Sequence, residues 1–215
     1  MKRPATSGPM WIVSFLVLYV SRVFSQASFQ GLGDLPGGTV ESHAYAVSTD
    51  GLVVVGASRS SSGQEAFRWT ASGGMVGLGF LPSTSSMSLA LDVSADGSGV
   101  GGYSRIGGTP IRQCAFRWVA GVMDCLGYLL PTDTVSQAYG VSPSGTTIVG
   151  YSAWLSRAMA FRWTGGSMTG LGYIPGYYNS VAYDISGGDS IIVGGCINYG
   201  PPRTDQAFRW EQSTG

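Results

Sequence analysis

One tetrapeptide recurs four times along this chain and constrains its fold more than any other feature. Ala-Phe-Arg-Trp begins at Ala66, Ala115, Ala160 and Ala207, at intervals of 49, 45 and 47 residues. Three further motifs keep step with it. Leu-Gly-x-Leu-Pro begins at Leu32 and Leu78, at Leu126 with an extra Leu, and at Leu171 with Ile in place of the second Leu. Ser-x-Ala-x-x-(Val/Ile)-Ser begins at Ser42, Ser88, Ser136 and Ser180. A β-branched stretch closes on Gly56, Gly102, Gly150 and Gly194. A fixed order of motifs at a period of about 47 residues marks a repeat architecture, in which each unit buries its apolar face against the next.

Each unit reads as four short strands. In the first they are expected near residues 44–48, 52–58, 65–70 and 74–79. Asp50-Gly51 supplies the first hairpin turn; Asp96-Gly97, Ser144-Gly145 and Gly188-Asp189 repeat it. Glycine suits such turns because it accepts φ > 0 without steric cost. Four strands per unit at this period predict an all-β fold, a β-propeller of four four-stranded antiparallel blades. Composition agrees: 34 glycines and only 11% charged residues in 215 argue against a helical bundle and against disorder. The blades are expected at 44–79, 80–127, 128–172 and 173–215. An N-terminal strand over 28–33 is expected to complete the last blade, which otherwise lacks its fourth strand, and so close the ring and cover both sheet edges.

Lys2 and Arg3 precede an 11-residue apolar run, Met10 to Val20, and Ser25 and Ala27 are small residues placed for cleavage. This reads as a signal peptide over 1–27, cut after Ala27. A membrane anchor is the rival reading. Eleven helical residues span only about 16 Å, against a hydrocarbon core of about 30 Å. The chain after Ala27 carries nine Arg, no Lys and twelve acids, a net charge of −3. That balance is poor for nucleic acid, and beyond the leader no membrane segment is expected.

Taken together, the Leu-Gly-x-Leu, Ser-x-Ala, Val-Gly and Ala-Phe-x-Trp elements resemble the probable extracellular repeat family named for its His-Ala-Phe (HAF) motif. The resemblance runs from Leu32 to Trp210. The family's His is replaced here by Glu65, Cys114, Met159 and Gln206. The resemblance implies a secreted or surface-exposed bacterial protein and carries no established activity.

The residues offer little to catalysis. His43 is the lone histidine, and no zinc spacing, EF-hand, phosphate loop or Gly-x-Ser-x-Gly elbow occurs. No catalytic residue, metal site or cofactor is expected. Arg68, Arg117, Arg162 and Arg209 sit inside apolar strands and need partners, from the repeated serines, backbone carbonyls or turn aspartates. The Phe and Trp of the tetrapeptide read as packing between blades. Cys114 and Cys125 flank the turn at Ala120-Gly121, a placement that suits a disulfide in one register and not in another, and Cys196 is left over.

Loop asymmetry carries the functional reading. The turns expected on one face are tight and uniform. The connections on the other, over 59–64, 105–112, 153–158, 198–205 and 176–179, read as long and variable. They hold Trp154, Arg157, Tyr177, Tyr178, Asn179, Asn198 and Tyr199. Variable loops on a rigid scaffold are where binding surfaces are built. The expectation is noncatalytic binding of glycan or protein there. Two alternatives stay open. One is a polysaccharide-acting lyase or glycosidase, which needs carboxylates or a Tyr/Arg pair converging in space. The other is a structural extracellular-matrix module that self-associates, with oligomers expected if the ring does not close.

Overall fold

The computed structural model describes residues 27–82 and 85–212. Residues 1–31 and Leu32–Gly215 separate as two units, and the expected signal peptide lies, but for Ala27, outside the described residues. Among the described residues there are 15 strands and no helix, so none is long and apolar enough to cross a membrane.

The strands form four successive antiparallel meanders. The first comprises β1 (Gly37–Val47), β2 (Val53–Ser60), β3 (Gly63–Thr70) and β4 (Gly74–Gly77). The second comprises β5 (Ser88–Val93), β6 (Gly99–Ile106), β7 (Arg112–Val119) and β8 (Val122–Cys125). The third comprises β9 (Val135–Val141), β10 (Thr147–Trp154), β11 (Arg157–Thr164) and β12 (Ser167–Gly172). The fourth has three strands, β13 (Asn179–Ile185), β14 (Ile191–Asn198) and β15 (Thr204–Glu211). A single parallel bridge, Gln113 to Val135, joins the second sheet to the third.

The core lies between consecutive meanders. Val55, Ala66 and Leu78 of the first pack with Ala90, Val93 and Val100 of the second. Ala115 meets Ala138, Val141, Ile148 and Phe161 at the next junction. Val149 and Ala160 meet Ala182, Ile185 and Ile192 at the third.

The repeated serine explains why its motif recurs. Ser88 Oγ accepts the Ala66 N–H at 2.9 Å and donates to the Gly79 carbonyl at 2.7 Å. Ser136 does the same for Ala115 and Gly127, and Ser180 for Ala160 and Gly172. One hydroxyl thus satisfies a donor of the preceding meander and an acceptor of the connection between them. Ser136→Ala leaves the buried Ala115 N–H unpaired, which costs about 1–3 kcal/mol. Chemical denaturation of the variant should show that loss, and a cost below about 0.5 kcal/mol contradicts the bridging role.

Two of the four strand-embedded arginines find backbone partners, while Arg209 pairs with the Glu211 carboxylate at 2.7 Å and Arg162 Nε is buried with no hydrogen-bond partner among the described residues. Arg68 Nε donates to Gly97 O at 3.1 Å and Arg117 Nε to Gly145 O at 3.0 Å, each in the first hairpin turn of the following meander. The second serine of each motif serves its own hairpin instead: Ser48 Oγ accepts the Val53 N–H and Ser94 Oγ the Gly99 N–H.

Three expectations are corrected. First, residues 28–33 form no strand, and β15 has β14 as its sole partner among the described residues. The segment follows the inter-meander connection instead. Gly33 takes φ 82°, as Gly79, Gly127 and Gly172 take 80°, 87° and 80°. Its carbonyl accepts from Ser42 Oγ at 2.8 Å, and the Leu35 N–H donates to Ser58 Oγ at 3.0 Å. These bonds commit residues 33–35 to the first meander, so they do not complete the fourth.

Second, two connections expected to be long are tight hairpins. β2 and β3 pair through to Ser60–Gly63, and β10 and β11 through to Trp154–Arg157. Gly63 at φ 138° and Leu155 at φ 53° turn these corners. Only 107–111 and 199–203 remain extended second-to-third connections, each with a cis X-Pro bond. Third, β4 ends at Gly77, not 79, because the left-handed Gly79 turns the chain out of the sheet.

The register also decides the cysteines. Cys125 lies on β8 beside β7, and Cys114–Cys125 form a disulfide with Cα atoms 5.8 Å apart. Cys196 is free and buried, and its Sγ accepts the Ile174 N–H at 3.4 Å.

Candidate binding clefts at the third and fourth meanders

In every meander the first strand carries a bulge opposite the motif-closing glycine. Register shifts fall between Ala44 and Ala46, Ala90 and Asp92, Ala138 and Gly140, and Ala182 and Asp184. The extra residue is Tyr45, Leu91, Tyr139 and Tyr183 in turn. A bulge re-aims the side chain it carries. Tyr139 and Tyr183 are brought together in this way, with ring centroids 6.0 Å apart and planes at 46°. Tyr151, from β10, lies 5.8 Å from Tyr139 at 29°.

These three tyrosines line a cleft of about 540 Å³ between the third and fourth meanders, together with Tyr199, Arg157 and Asn179. The Tyr139 hydroxyl donates to Gln137 Oε1 at 3.0 Å. Burial, reinforced by neighbouring phenols, raises the Tyr151 hydroxyl well above the usual phenol range, and burial raises Tyr139 as well. Both therefore stay neutral across the physiological range, as polar hydroxyls on aromatic plates.

A second cleft, of about 550 Å³, shares Arg157 with the first. Trp154 stands opposite Arg157 across the β10–β11 hairpin and is 47% exposed. Leu129, Met159, Met168 and Tyr173 add apolar wall, and Asp133 adds a carboxylate. That carboxylate is engaged: Asp133 Oδ2 accepts from Ser152 Oγ at 2.7 Å and from the Leu130 N–H at 3.2 Å.

The expected contact residues separate accordingly. Trp154 and Arg157 line one cleft, and Arg157, Asn179 and Tyr199 the other. Asn179 is buried, and its Oδ1 accepts the Ala158 N–H at 2.7 Å, which fixes the hairpin end rather than facing solvent. Tyr199 is exposed, with the Arg203 guanidinium 5.5 Å from its ring centre. Asn198 caps its own turn through the Gly200 N–H at 3.2 Å. Tyr177 and the exposed Tyr178 lie on the connection between β12 and β13, outside both clefts.

Sequence reasoning passed over Tyr139, Tyr151 and Tyr183. A signal was present for two of them, since Ser-x-Ala-Tyr recurs at 42–45, 136–139 and 180–183.

Two of the turn acids are tied within their own hairpins. Asp96 accepts from Ser94 Oγ, and from the Ser98 N–H and hydroxyl, which lowers its carboxyl to about 2. Asp50 is lowered likewise, first by Ser48 Oγ. Asp133 is the one carboxylate lining either cleft. Among the described residues no three His, Cys, Asp or Glu side chains gather as metal ligands.

No family model and no curated protein matches this chain. Among solved structures it is similar to a putative TolB from Agrobacterium tumefaciens, with TM-score 0.54 and 14% identity over 80% of this chain and 58% of that one. It is also similar to TolB from Acinetobacter baumannii, with TM-score 0.57 and 12% identity over 81% of this chain and 42% of that one. The chain therefore spans about half the length of these relatives in fold. TolB contains a β-propeller domain. At such identities the likeness speaks for fold alone, and with the meanders described above it makes this an all-β, propeller-like protein.

Proposed function

We propose that the four meanders are propeller blades and that the protein is a secreted or surface-exposed noncatalytic binding module that takes a glycan in the tyrosine cleft. The observation that carries this reading is the convergence of Tyr139, Tyr151, Tyr183 and Tyr199 with Arg157 around one concavity. Phenol rings offer flat apolar faces for sugar rings, with hydroxyls at their tips for polar contacts. The exposed guanidinium of Arg157 adds a fork of donors. The leader-like N-terminus and the resemblance to extracellular repeats support the location. The engagement of Asp133 supports a noncatalytic role, because paired, available carboxylates are what hydrolysis of a glycosidic bond needs. A protein ligand is the other class that this surface suits.

The test is calorimetric titration of soluble oligosaccharides and bacterial polysaccharides into the purified chain. Tyr183→Ala and Arg157→Ala change exposed side chains, so the fold should survive. Each should weaken glycan binding about tenfold, equivalent to about 1.4 kcal/mol. Unchanged affinity in both variants overturns the site. Turnover of a polysaccharide by the unmodified chain overturns the noncatalytic reading.

A further inference from the structure

The two ends of the row of meanders carry the unpaired halves of a fourth junction. Each internal junction uses equivalent apolar residues and the same serine bridge, and the register maps them onto the ends. On the first meander Ala44, Val47 and Val54 correspond to Ala90, Val93 and Val100, to Ala138, Val141 and Ile148, and to Ala182, Ile185 and Ile192. The nine internal side chains are all buried, none more than 7% exposed. Ala44 and Val47 are exposed, Val47 at 57%, and Val54 is partly so. At the other end Val193 and Ala207 correspond to Val149 and Ala160, both 0% exposed. Val193 is 43% exposed, and Ala207 is exposed too.

The polar groups divide in the same way. Ser42 Oγ donates to Gly33 O but has no Ala N–H to accept, unlike Ser88, Ser136 and Ser180. The missing donor is at the far end: Ala207 stands opposite Gly195 as Ala160 stands opposite Tyr151, which puts its N–H on the open edge of β15. Arg209, whose Nη1 donates to Glu211 Oε2 at 2.7 Å, holds the position from which Arg68 and Arg117 reach the next hairpin turn through Nε, and Gly51 holds the position of their acceptors, Gly97 and Gly145. Asp92 Oδ2 accepts the Val141 N–H of the following meander at 2.7 Å. Asp184 occupies the same place in the last meander and is exposed, and Val47 is the counterpart of Val141.

The geometry points to head-to-tail association with a second copy of this chain, the first meander of each copy docking on the fourth meander of the other. Val193 and Ala207 pack on Ala44, Val47 and Val54. Ala207 N–H donates to Ser42 Oγ, Arg209 to the Gly51 carbonyl, and the Val47 N–H to Asp184. The apolar set and the serine bridge have already formed three times inside one chain in the same register, the arginine bond twice and the aspartate bond once. Such contacts are heterologous, two different patches meeting, and close only when every patch is used. Two copies joined twice are the smallest assembly that leaves neither face bare. The inference does not depend on what the tyrosine cleft binds.

The test is the solution mass of the full chain by light scattering across a concentration series. Twice the chain mass, falling to the single-chain mass on dilution, is the expected result. Val47→Asp and Val193→Asp each place a carboxylate against an apolar partner and should weaken association about a hundredfold or more. Both side chains are exposed in the single chain, so thermal melts of the diluted variants should match the unmodified chain. Mixing the two variants should restore association, because one junction then joins two unmodified faces. A single-chain mass at every concentration overturns the proposal. If amide exchange also shows Val47 and Ala207 protected in that monomer, the chain closes on itself. Association indifferent to both substitutions overturns it as well.

Discussion

Gly150→Val should cost the protein about 3 kcal/mol or more, out of a domain stability of about 5–15 kcal/mol. A Cβ at this position would overlap the Gln137 carbonyl oxygen across the β9–β10 pair. The clash is with backbone, so no side-chain rotation relieves it. The same holds at Gly56, Gly102 and Gly194, where the carbonyls of His43, Leu89 and Val181 take the space. The cause is the bulge on each first strand, which turns that carbonyl towards the glycine. Relief requires undoing the bulge, and the bulge is what aims Tyr139 into the cleft. Urea denaturation should therefore show a lowered midpoint, and near-ultraviolet circular dichroism of the tyrosines should change with it. A loss below about 1 kcal/mol would mean that the pairing slips to absorb the side chain, and the bulge argument would fail.

Phe161→Ala should cost about 3–5 kcal/mol, the transfer free energy of the ring plus the cavity left behind. The ring is fully buried among Ala115, Ala138, Val141 and Ile148, and so spans the junction between the second and third meanders. In a stack of repeats stability resides in such junctions as well as in the units. The melt should broaden as well as shift, because the two halves of the row uncouple. Val122→Ala is the control: Val122 is 57% exposed, and the change should stay within about 0.5 kcal/mol. Equal effects from the two substitutions would refute the assignment of the core.

The fold was legible in the repeat to a considerable depth. The period and the turn glycines predicted the order of strands, and their number in the first three units, because hairpin chemistry is local and each turn needs its positive φ wherever the chain goes. The recurrence of Ser-x-Ala marked the serine as part of each unit but not what it does. Its two partners belong to the preceding unit and to the connection between units, which no single unit displays. The arginines were read as needing partners, and Arg68 and Arg117 found them in turn carbonyls one unit ahead, whereas Arg209 pairs with Glu211 and Arg162 Nε is buried with no hydrogen-bond partner among the described residues. The bulge left no direct mark, since a strand with an extra residue looks like a strand of the next length. It follows only when the recurring glycine is set against the carbonyl that crowds it.

The candidate site was legible in part for the same reason. Trp154, Arg157 and Tyr199 were marked by their position in connections, and they do border the clefts. Asn179 was marked too, but a buried backbone N–H, that of Ala158, claims its side-chain oxygen. Tyr139 and Tyr183 were hidden because they sit inside strands, where an aromatic residue reads as core.

By itself the sequence determined the unit, the order of its strands and the tight turns between them, because these rest on contacts within a few tens of residues. Only the tertiary structure decided how the units meet. It settled which hydroxyl bridges which pair, which tyrosines share a cleft, and that residues 33–35 fold onto the first meander instead of completing the fourth. Those outcomes depend on the angle between twisted sheets. That angle is the sum of many small packing contacts between distant residues, and no local motif encodes it.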